Sequence, residues 1–383
     1  MQGHLTEQDT HWMQQALHLA EQALYCTSPN PRVACLIVRD GELLASGVTQ
    51  QAGGPHAEVM ALRQAAERGL EVAGSTVYVT LEPCSHHGRT PPCVDALLQA
   101  KPARVVLAMQ DPNPLVAGQG IRRLQQAGIH VAGPLCVEQA LAINVGFFAR
   151  MLRQTPWVWL KMACSLDGRS ALPNGQSQWI TSAPARADGH HWRARSCVVL
   201  TGIGTVQADN PQLTVRAVQT ERQPVRAIID THFAVSEDAA MFDGNPCWVF
   251  TCRRDEAKAE RLAARQVRTI LMPKFQGHVD LRAVMQCLGE QQFNEIHVEA
   301  GAKLSGALLS ADCVDELLIY MAPTLLGAGR GVADLAELSH VDVAPRYEFF
   351  DVQSVGPDLR LRARKQAHWD RLLQQVQSVK RLD

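Results

Sequence analysis

Two short stretches decide the fold of the first half of the chain: His56-Ala57-Glu58, and Glu82-Pro83-Cys84-Ser85-His86-His87-Gly88-Arg89-Thr90-Pro91-Pro92-Cys93. A neutral imidazole and two thiolates are good zinc ligands, and three protein ligands leave the fourth position of the metal to water. Zinc lowers the pKa of that water towards neutrality, so hydroxide becomes available as a nucleophile. Glu58 follows His56 by two residues at a predicted helix start, from where a carboxylate can move protons. The pattern predicts one catalytic Zn²⁺ per chain, with His56, Cys84 and Cys93 as ligands and Glu58 as the catalytic acid–base group.

The spacing of these residues is typical of zinc-dependent nucleobase deaminases, which carry an H-x-E…P-C-x-x-C pattern. Here eight residues separate Cys84 from Cys93 instead of two, so the connecting loop is longer. A His-x-Glu triplet alone is usually a pair of exposed surface residues without a function. Two cysteines in a chain with eleven are usually buried thiols. The joint pattern outweighs both interpretations. A structural zinc site would need a fourth protein ligand, which His86 or His87 could supply.

Outward from these stretches, the first half alternates between helical and strand patterns. Thr6 and Asp9 form a capping-box-like start for a helix whose apolar residues recur with the helical period. Asp40-Gly41 predicts a hairpin between a strand at 33–38 and a strand at 42–48. The other predicted elements are helices at 56–68, after Cys93, at 121–126 and at 137–151, and strands at 76–80 and 104–109. The βαβ order implies an α/β sheet with helices on its faces.

The pattern of elements restarts after Thr155-Pro156, so we place a domain boundary near residues 150–156. The predicted strands of the second half are 157–163, 197–201, 225–229, 247–251, 296–299, 317–321, 347–352 and 359–361. Residues 1–150 and 157–364 are therefore expected to form two domains, followed by a tail at 365–383. Four apolar tail residues share one helix face, which predicts a helix that packs on the body or on a partner subunit: Trp369, Leu372, Leu373 and Val376.

Composition and charge disfavour several classes of protein. Of the 383 residues, 46% are hydrophobic and 20% are charged, which argues against a long disordered chain. The net charge is -1, so no excess of basic residues is available to neutralise nucleic-acid phosphates. No apolar run reaches the ~20 residues that cross a bilayer, and residues 1–7 lack the features of a secretory signal. Eleven scattered cysteines fit reduced thiols, and hence a cytoplasmic protein, better than a disulfide framework.

With the runs around His56 and Cys84, the first half resembles the bifunctional deaminase–reductase of riboflavin biosynthesis. Further motifs that fit this family are Asp111-Pro112-Asn113-Pro114, Val116-Ala117-Gly118 with Gly120, and Pro29-Asn30-Pro31, although the family often has Gly in place of Ala34. The resemblance implies a cytidine-deaminase-like three-layer α/β domain that removes an amino group from a pyrimidinone carrying a phosphoribosylamino arm. It makes Asn30 a candidate substrate contact. The alternative is that Asn30, between two prolines, only forms a turn.

The second half resembles the reductase of the same family up to about residue 364. The motifs, in the family's order, are Lys161-Met162-Ala163-Cys164-Ser165-Leu166-Asp167-Gly168-Arg169, Ser177-Gln178-Trp179-Ile180-Thr181, Gly204-Thr205-Val206, residues 209–216 and Val298-Glu299-Ala300-Gly301-Ala302-Lys303-Leu304. The resemblance implies a dihydrofolate-reductase-like α/β domain with NADPH as the hydride donor. The implied NADPH contacts are Ala163, Trp179, Thr205, Asp209, Thr231, Gly301, Ala302, Lys303, Leu304, Ser305, Gly306 and Ala307. The implied substrate contacts are Lys161, Ser177, Arg193, Leu213, Arg216 and Glu299. Arginines suit a phosphate because a guanidinium binds it bidentately.

The residues themselves also argue for a dinucleotide. Residues 301–307 lie between a strand and an apolar helix, and backbone N–H groups at such a helix start can hold a pyrophosphate. Gly301 and Gly306 allow close approach of a ligand. The G-x-G-x-x-G fingerprint of the Rossmann fold is absent after a first strand. Asn210 and Ala302 stand where the family commonly has Asp and Pro, and their effect on NADPH affinity is open. Trp179 could equally be a core residue, and the arginines solvated surface residues.

The leading hypothesis is one polypeptide with two consecutive activities of riboflavin biosynthesis. It predicts a small pyrimidine ribosyl phosphate as substrate and a homo-oligomer, without a nucleic-acid or membrane partner. A nucleic-acid-editing deaminase would need a basic face and stacking aromatics, whereas only 5% of the residues are aromatic. Two further alternatives are a zinc-stabilised interaction module with no enzymatic activity, and a chain in which one of the two domains has decayed.

Overall fold

The fold is that of a computed structural model, which describes residues 5–86, 91–113 and 116–377. The chain divides into two compact units. The first comprises the residues up to Arg153 together with those from Asp370 onward, and the second is Gln154–Trp369. Each unit has a main β-sheet of its own. Among the described residues, every helix is too short or too polar to span a lipid bilayer.

The first unit is built on a five-stranded sheet. In chain order, its helices and strands are α1 (Glu7–Ala20), β1 (Ala34–Arg39), β2 (Glu42–Val48), α2 (Ala57–Glu67), β3 (Thr76–Val79), α3 (Cys93–Ala100), β4 (Arg104–Leu107), α4 (Gln119–Gln126), β5 (His130–Ala132) and α5 (Val137–Arg153). The order in the sheet is β2-β1-β3-β4-β5. Strands β3, β4 and β5 are parallel, and β1 is antiparallel to both of its neighbours. The predicted hairpin is confirmed: Asp40 and Gly41 have φ of 51 and 79°, as a type I′ turn requires.

Helix α1 begins as the sequence predicts. The side chain of Thr6 accepts a hydrogen bond from the backbone N–H of Asp9, and the Asp9 carboxylate accepts one from the backbone N–H of Thr6. This reciprocal pair is a capping box. The buried Asp9 carboxylate also accepts hydrogen bonds from Tyr78 of β3 and Arg104 of β4. The cap therefore attaches α1 to the sheet.

The second unit is built on a nine-stranded sheet. Its elements are β6 (Trp157–Ser165), β7 (Arg169–Ala171), α6 (Ala183–Arg195), β8 (Val198–Gly202), α7 (Ile203–Asp209), β9 (Val225–Ile229), β10 (Cys247–Thr251), α8 (Glu256–Ala263), β11 (Val267–Leu271), β12 (Lys274–Phe275), β13 (His278–Val279), α9 (Leu281–Glu290), β14 (Glu295–Glu299), α10 (Ala302–Ser310), β15 (Glu316–Ala322), β16 (Arg330–Gly331), β17 (Glu348–Val355) and β18 (Asp358–Arg364). The order in the sheet is β11-β10-β9-β8-β14-β6-β15-β18-β17. The strands from β11 to β15 in this order are parallel, and β18 is antiparallel to both of its neighbours.

The large sheet is covered on both faces, as parallel sheets usually are. Val198 and Leu200 of β8 belong to one apolar cluster, which also contains Val284 and Leu288 of α9. Val199, between them, belongs to a second cluster. This alternation follows from the period of two along a strand. Successive residues of one strand thus serve two cores.

The tail forms helix α11 (Gln366–Gln377), and the predicted apolar face is largely buried. Trp369, Leu372 and Val376 are buried and Leu373 is half-buried. Within the described chain, six strands are absent from the sequence prediction: β5 and β11 of the two main sheets, and the two- or three-residue strands β7, β12, β13 and β16. Strand β5 has three residues, and β11 lies at the edge of its sheet, where burial is irregular. Both features weaken the alternating pattern by which strands are recognised.

Candidate active sites

The side chains of His56, Cys84 and Cys93 meet in the first unit. His56 precedes α2, Cys84 lies in the loop after β3, and Cys93 is the first residue of α3. The Nδ1 atom of His56 lies 3.5 Å from the Sγ atom of Cys84 and 3.3 Å from that of Cys93. The three donor atoms all lie within 4.8 Å of one another. Tetrahedral zinc, with Zn–N of about 2.05 Å and Zn–S of about 2.3 Å, would separate such N and S atoms by roughly 3.6 Å. The donor set therefore fits this ion.

The surroundings of the cluster favour negative charge on sulfur. The backbone N–H of Cys93, at the N-terminus of α3, donates to the Sγ atom of Cys84 over 3.3 Å. Hydrogen bonds with Cys93 and, more weakly, with His56 hold the pKa of the Cys84 thiol well below its ordinary value. A thiolate is the form of cysteine that binds metals. His86 is exposed and is not among the gathered donors, and His87 lies outside the described residues.

Glu58 lies beside the three donors without being one of them. It stands in the first turn of α2 and is only 3% exposed. Its carboxylate is hydrogen-bonded with the Cys93 thiol and with its own backbone N–H. Burial and then the charge of Cys84 raise the pKa of this carboxyl group. The arrangement places a buried proton carrier next to the donor cluster.

The start of α2 packs directly on β2 at Gly47. A Cβ atom at Gly47 would lie 2.3 Å from the carbonyl oxygen of Ala57 and 2.4 Å from the backbone nitrogen of Ala61. Only glycine fits this approach, which sets the position of His56 and Glu58 relative to the sheet. Gly47 is a functional position that the sequence motifs do not include. An isolated glycine within a strand is nevertheless a known signal for close approach of another backbone.

The loop that carries Cys84 is held by the carboxylate of Glu82. Four backbone N–H groups donate to this buried carboxylate over 2.9 to 3.3 Å, those of Asp111, Gly118, Gly120 and Ile121. A Cβ atom at Gly120 would lie 2.3 Å from the carbonyl oxygen of Pro83, so the start of α4 rests on the Glu82-Pro83-Cys84 run. Glu82 belongs to the quoted Glu82–Cys93 motif, but its role as a backbone acceptor is not among the predictions from the sequence. Its position two residues before a ligand is the only signal for this role.

The loop that carries Asn30 is fixed to helix α5. The backbone N–H of Asn30 donates to the carbonyl of Thr27 over 2.9 Å, so Asn30 does form a turn. The backbone N–H of Arg32 donates to Oδ1 of Asn144 over 2.7 Å, and Nδ2 of Asn144 donates back to the carbonyl of Arg32 over 2.9 Å. Arg32 Nη1 donates to the carbonyl of Ile143 over 2.8 Å, and Asn144 has non-helical dihedral angles. Groups at the kink in α5, the side chain of Asn144 and the carbonyl of Ile143, thus hold this loop.

In the second unit, three predicted cofactor contacts follow the carboxyl ends of neighbouring strands. Thr205 follows β8, Thr231 follows β9 and Gly301 follows β14, and the sheet order places these strands together as β9-β8-β14. The backbone N–H of Gly301 donates to Oγ1 of Thr205 over 3.2 Å. Ala163 lies on β6, the next strand along. Ligands of open parallel sheets bind outside the carboxyl ends of the strands, where these residues are found.

The turn 301–307 opens helix α10. Its exposed residues are Gly301, Lys303 and Ala307, and Leu304 is half-buried, whereas Ala302, Ser305 and Gly306 are buried. A Cβ atom at Gly306 would lie 1.9 Å from the carbonyl oxygen of Asp334. Contrary to our expectation, this glycine makes room for the chain's own backbone and not for a ligand. Ala302 is the first residue of α10, where the commoner Pro would lack a backbone N–H. Ala302 keeps that donor at the helix start.

Three of the predicted substrate contacts form one charged cluster. Arg193 donates from Nε and Nη2 to the two carboxylate oxygens of Glu299, and from Nη1 to the carbonyl of Thr214 over 2.9 Å. Lys161 lies opposite Glu299 in the register of β6 and β14. Burial opposes ionisation of Glu299, but Arg193 holds the pKa of this carboxyl group well below its usual range. Burial also lowers the pKa of Lys161. Arg193 is therefore a paired residue and not a solvated surface arginine.

Helix α6 also holds the segment that carries Arg216. The backbone N–H of Arg216 donates to Nδ1 of His190 over 3.1 Å, one turn before Arg193. The exposed guanidinium of Arg216 donates to the side chains of Gln212 and Thr214. Because a backbone N–H can only donate, Nδ1 of His190 must be unprotonated. Burial and the charges of Arg193 and Arg216 lower the pKa of His190 to about 4. His190 is not among the predicted site residues, because no motif surrounds it in the sequence.

The remaining predicted contacts are less closely grouped. Trp179 is 69% exposed, with the Arg186 guanidinium 4.3 Å from the centre of its ring, so it is not a core residue. Asp209 ends α7 and accepts a hydrogen bond from Gln178 over 3.4 Å. Ser177 is half-buried. These side chains remain predictions of ligand contacts.

Two neighbouring residues of the same segment have structural roles. The side chain of Leu213 is buried in the second apolar cluster of the large sheet, beside Phe233 and Met241. Asn210 has a left-handed φ of 41° at the end of α7, and its Oδ1 accepts the backbone N–H of Ala240 over 2.8 Å. Asparagine tolerates this conformation better than most residues. Asn210 is therefore well suited to its position as a helix end.

The fold and these two sites define a class of protein: a two-domain enzyme in which a deaminase domain precedes a reductase domain. Residues 6–109 match the family described as cytidine and deoxycytidylate deaminase zinc-binding region. Residues 156–361 match the RibD C-terminal domain. The chain is 48% identical over 367 residues to riboflavin biosynthesis protein RibD of Escherichia coli strain K12, covering 92% of this chain and 98% of that protein.

Solved structures give the same result. Acinetobacter baumannii RibD, form 1, superposes with a TM-score of 0.85 at 42% identity, over 94% of this chain and 99% of that one. A diaminohydroxyphosphoribosylaminopyrimidine deaminase/5-amino-6-(5-phosphoribosylamino)uracil reductase from Thermotoga maritima superposes with a TM-score of 0.83 at 32% identity, over 93 and 98% of the two chains. The chain belongs to the RibD family and is a bifunctional enzyme of riboflavin biosynthesis, with deaminase and reductase activities. The predicted fold class and the predicted pair of activities are confirmed, and the non-enzymatic alternative is wrong.

Proposed function

We propose that the first unit deaminates diaminohydroxyphosphoribosylaminopyrimidine at a zinc ion held by His56, Cys84 and Cys93. The second unit would then reduce the product, 5-amino-6-(5-phosphoribosylamino)uracil, with NADPH. The observation that carries the first half is the set of three donor atoms with a separate buried carboxylate beside it. The substrates are those in the name of the Thermotoga maritima relative. The cytoplasmic location and the homo-oligomer remain predictions from the sequence.

The deamination exchanges an amino group for an oxygen atom from water. Bound zinc would lower the pKa of a water in the fourth coordination position. Glu58 takes a proton from the attacking water and gives it to the ring nitrogen next to the carbon under attack. The new hydroxyl group on that carbon then gives its proton, through Glu58, to the amino group. The carbon–nitrogen bond breaks as the carbonyl forms, and the amino group leaves as ammonia. Asn30, held through the loop that Arg32 and Asn144 fix, would orient the ring.

The reduction converts a ribosyl group into a ribityl chain. Opening of the ribose ring gives an imine whose first carbon accepts a hydride, and one proton from solvent completes the amine. NADPH supplies the hydride, while the protein orients the two reactants. The turn 301–307 with Thr205 and Thr231 would hold the cofactor. Arg193 and Arg216 would hold the substrate phosphate, and Lys161 and Glu299 would contact the sugar.

The direct test is incubation of the zinc-loaded protein with the diaminopyrimidinone substrate and NADPH, with ammonia and NADPH followed separately. We expect ammonia release without NADPH and NADPH oxidation only after deamination. Ammonia release from RNA but not from the free pyrimidine phosphate would contradict the proposal. So would a wild-type protein that carries out only one of the two steps.

The metal assignment has its own test. Cys84→Ala and Cys93→Ala should each lower zinc content and ammonia release together, because the thiolates hold the ion. Cys136→Ala is the matched control, since Cys136 is a partly exposed thiol of the same unit outside the cluster. Elemental analysis that finds one zinc per chain in both cluster variants would show that the ligands are wrongly assigned.

A further inference from the structure

The predicted contacts give the bound dinucleotide a direction along the large sheet. The charged substrate cluster lies on β6 and β14, with Lys161 and Glu299 in register. The nicotinamide end must reach this cluster, because hydride passes directly to the substrate. The other predicted contacts follow β14, β8 and β9 in turn, and neighbouring strands are about 4.8 Å apart. The adenosine end therefore extends towards β9 and its next neighbour, β10.

The loop after β10 reaches the last of these contacts. The backbone N–H of Cys252 and the hydroxyl of Thr251 both donate to the carbonyl of Thr231, over 3.2 and 3.4 Å. Arg253 and Arg254 come next, and the backbone N–H of Arg253 donates to Oγ1 of Thr251 over 3.2 Å. Two arginines thus follow the carboxyl end of β10, where the adenosine ribose would lie.

The charges in these loops are unequally engaged. Arg253 and Arg254 are exposed, and in the part of the chain that the structure describes their guanidinium groups make no hydrogen bond or ion pair. Two neighbouring carboxylates are engaged at helix ends, whereas Glu256, in the first turn of α8, is exposed. Asp255 caps α8 by accepting the backbone N–H of Lys258, and Asp280 caps α9 by accepting those of Arg282 and Ala283. The adjacent guanidinium groups of Arg253 and Arg254 therefore present two positive charges to solvent.

We propose that Arg253 and Arg254 bind the 2′-phosphate of the dinucleotide and make the reductase prefer NADPH to NADH. This inference rests on the proposed function, since it requires the dinucleotide to lie along the predicted contacts. A guanidinium offers the bidentate hydrogen bonds that a phosphate accepts, and NADH carries a hydroxyl at the same position. The preference for NADPH then comes from residues outside the predicted contact set.

The test uses binding as well as turnover, on the full-length protein. Calorimetric titration with NADP⁺ and with NAD⁺ should show a loss of NADP⁺ affinity in the Arg253→Ala/Arg254→Ala double variant, with NAD⁺ affinity unchanged. A lost charge-assisted contact corresponds to roughly 10- to 150-fold in Kd. The KM for NADPH should rise by a similar factor while the KM for NADH stays constant. Arg268→Ala is the control, because Arg268 is an exposed arginine on the next strand, β11, that is engaged with Gln291.

The outcomes separate this inference from the proposed function. A double variant that keeps the wild-type ratio of NADP⁺ to NAD⁺ affinity would overturn the inference. A wild-type protein that binds neither dinucleotide would overturn the proposed function instead. Adenosine 2′,5′-bisphosphate and adenosine 5′-monophosphate, titrated in the same way, test the adenosine end alone. If the variant binds both nucleotides more weakly by the same factor, the substitutions have disturbed the structure of the loop in general. That result would also count against a 2′-phosphate site.

Discussion

In the proposed deamination, the side chain of Glu58 moves both protons. We expect Glu58→Gln to keep zinc, because Glu58 is not one of the three gathered donors. Ammonia release should fall by ~10²- to 10⁴-fold, the usual contribution of an acid–base group. Ammonia assays and elemental analysis of the same sample check both statements. Glu67→Gln, at the exposed end of the same helix, is the control. A near-wild-type rate with zinc retained would remove Glu58 from the mechanism.

His190 accepts a hydrogen bond from the backbone N–H of Arg216, which is a predicted substrate contact. We expect His190→Ala to raise the KM of the uracil substrate by roughly 2- to 13-fold, the equivalent of one hydrogen bond, with kcat nearly unchanged. His190→Asn should restore much of the loss, since its Oδ1 can take the place of Nδ1 as acceptor. Steady-state kinetics of the reduction measure both. An asparagine variant as weak as the alanine variant would contradict the role of the acceptor atom, and His191→Ala tests for a general effect on α6.

At this scale the sequence predicts which donor side chains come together better than it predicts which residues hold them in place. His56, Glu58, Cys84 and Cys93 follow from the chemistry that zinc requires and from their spacing. Glu82, Asn144 and His190 bind backbone groups of other segments, and two of these contacts span 112 and 26 residues. No local pattern encodes such partners. They become visible only when the fold brings the segments together.

Among the elements, α2 depends most on a single small residue. Gly47→Ala places a methyl group against the backbone of α2, and overpacking of this kind costs typically about 1–3 kcal/mol. We expect a lower melting temperature together with weaker zinc binding, because His56 and Glu58 move with the start of α2. Differential scanning calorimetry and a zinc titration measure the two effects. Gly189→Ala on α6, where a Cβ atom would meet nothing within 4 Å, should show neither.

The predicted elements agree with the structure where the pattern is long and local. The capping box at Thr6, the hairpin at Asp40-Gly41 and the helix at Ala57–Glu67 lie where the sequence places them. The edge strand Val267–Leu271 escapes prediction because its burial is set by position in the sheet and not by its own alternation. The role of Gly306 also differs from the prediction. This glycine makes room for the backbone of Asp334, which is 28 residues away in sequence, and not for a ligand. Tertiary contact decides both cases.

For the whole molecule, the central prediction is that the two activities separate. Glu58→Gln protein, supplied with the deaminated uracil substrate, should still oxidise NADPH at the wild-type rate. Arg216→Ala should weaken reduction by about 1.5–3 kcal/mol, or roughly 10- to 150-fold, while ammonia release continues. Each assay uses the substrate of its own step, so a block in the first cannot imitate a block in the second. Loss of both activities from either substitution in a folded, zinc-loaded protein would point to one shared site.

The loop that carries Asn30 is anchored by residues of helix α5, which the ribosome synthesises much later than the loop itself. Arg32 and Asn144, which fix this loop to α5, are 112 positions apart. Ribosomes add about 5–20 residues per second, so on the order of ten seconds separate the two during synthesis. The metal donors at His56, Cys84 and Cys93 have all been made within that interval. A nascent chain therefore contains all three donors before the loop of Asn30 has its anchor. The match to the deaminase family ends at residue 109 and does not include Asn144.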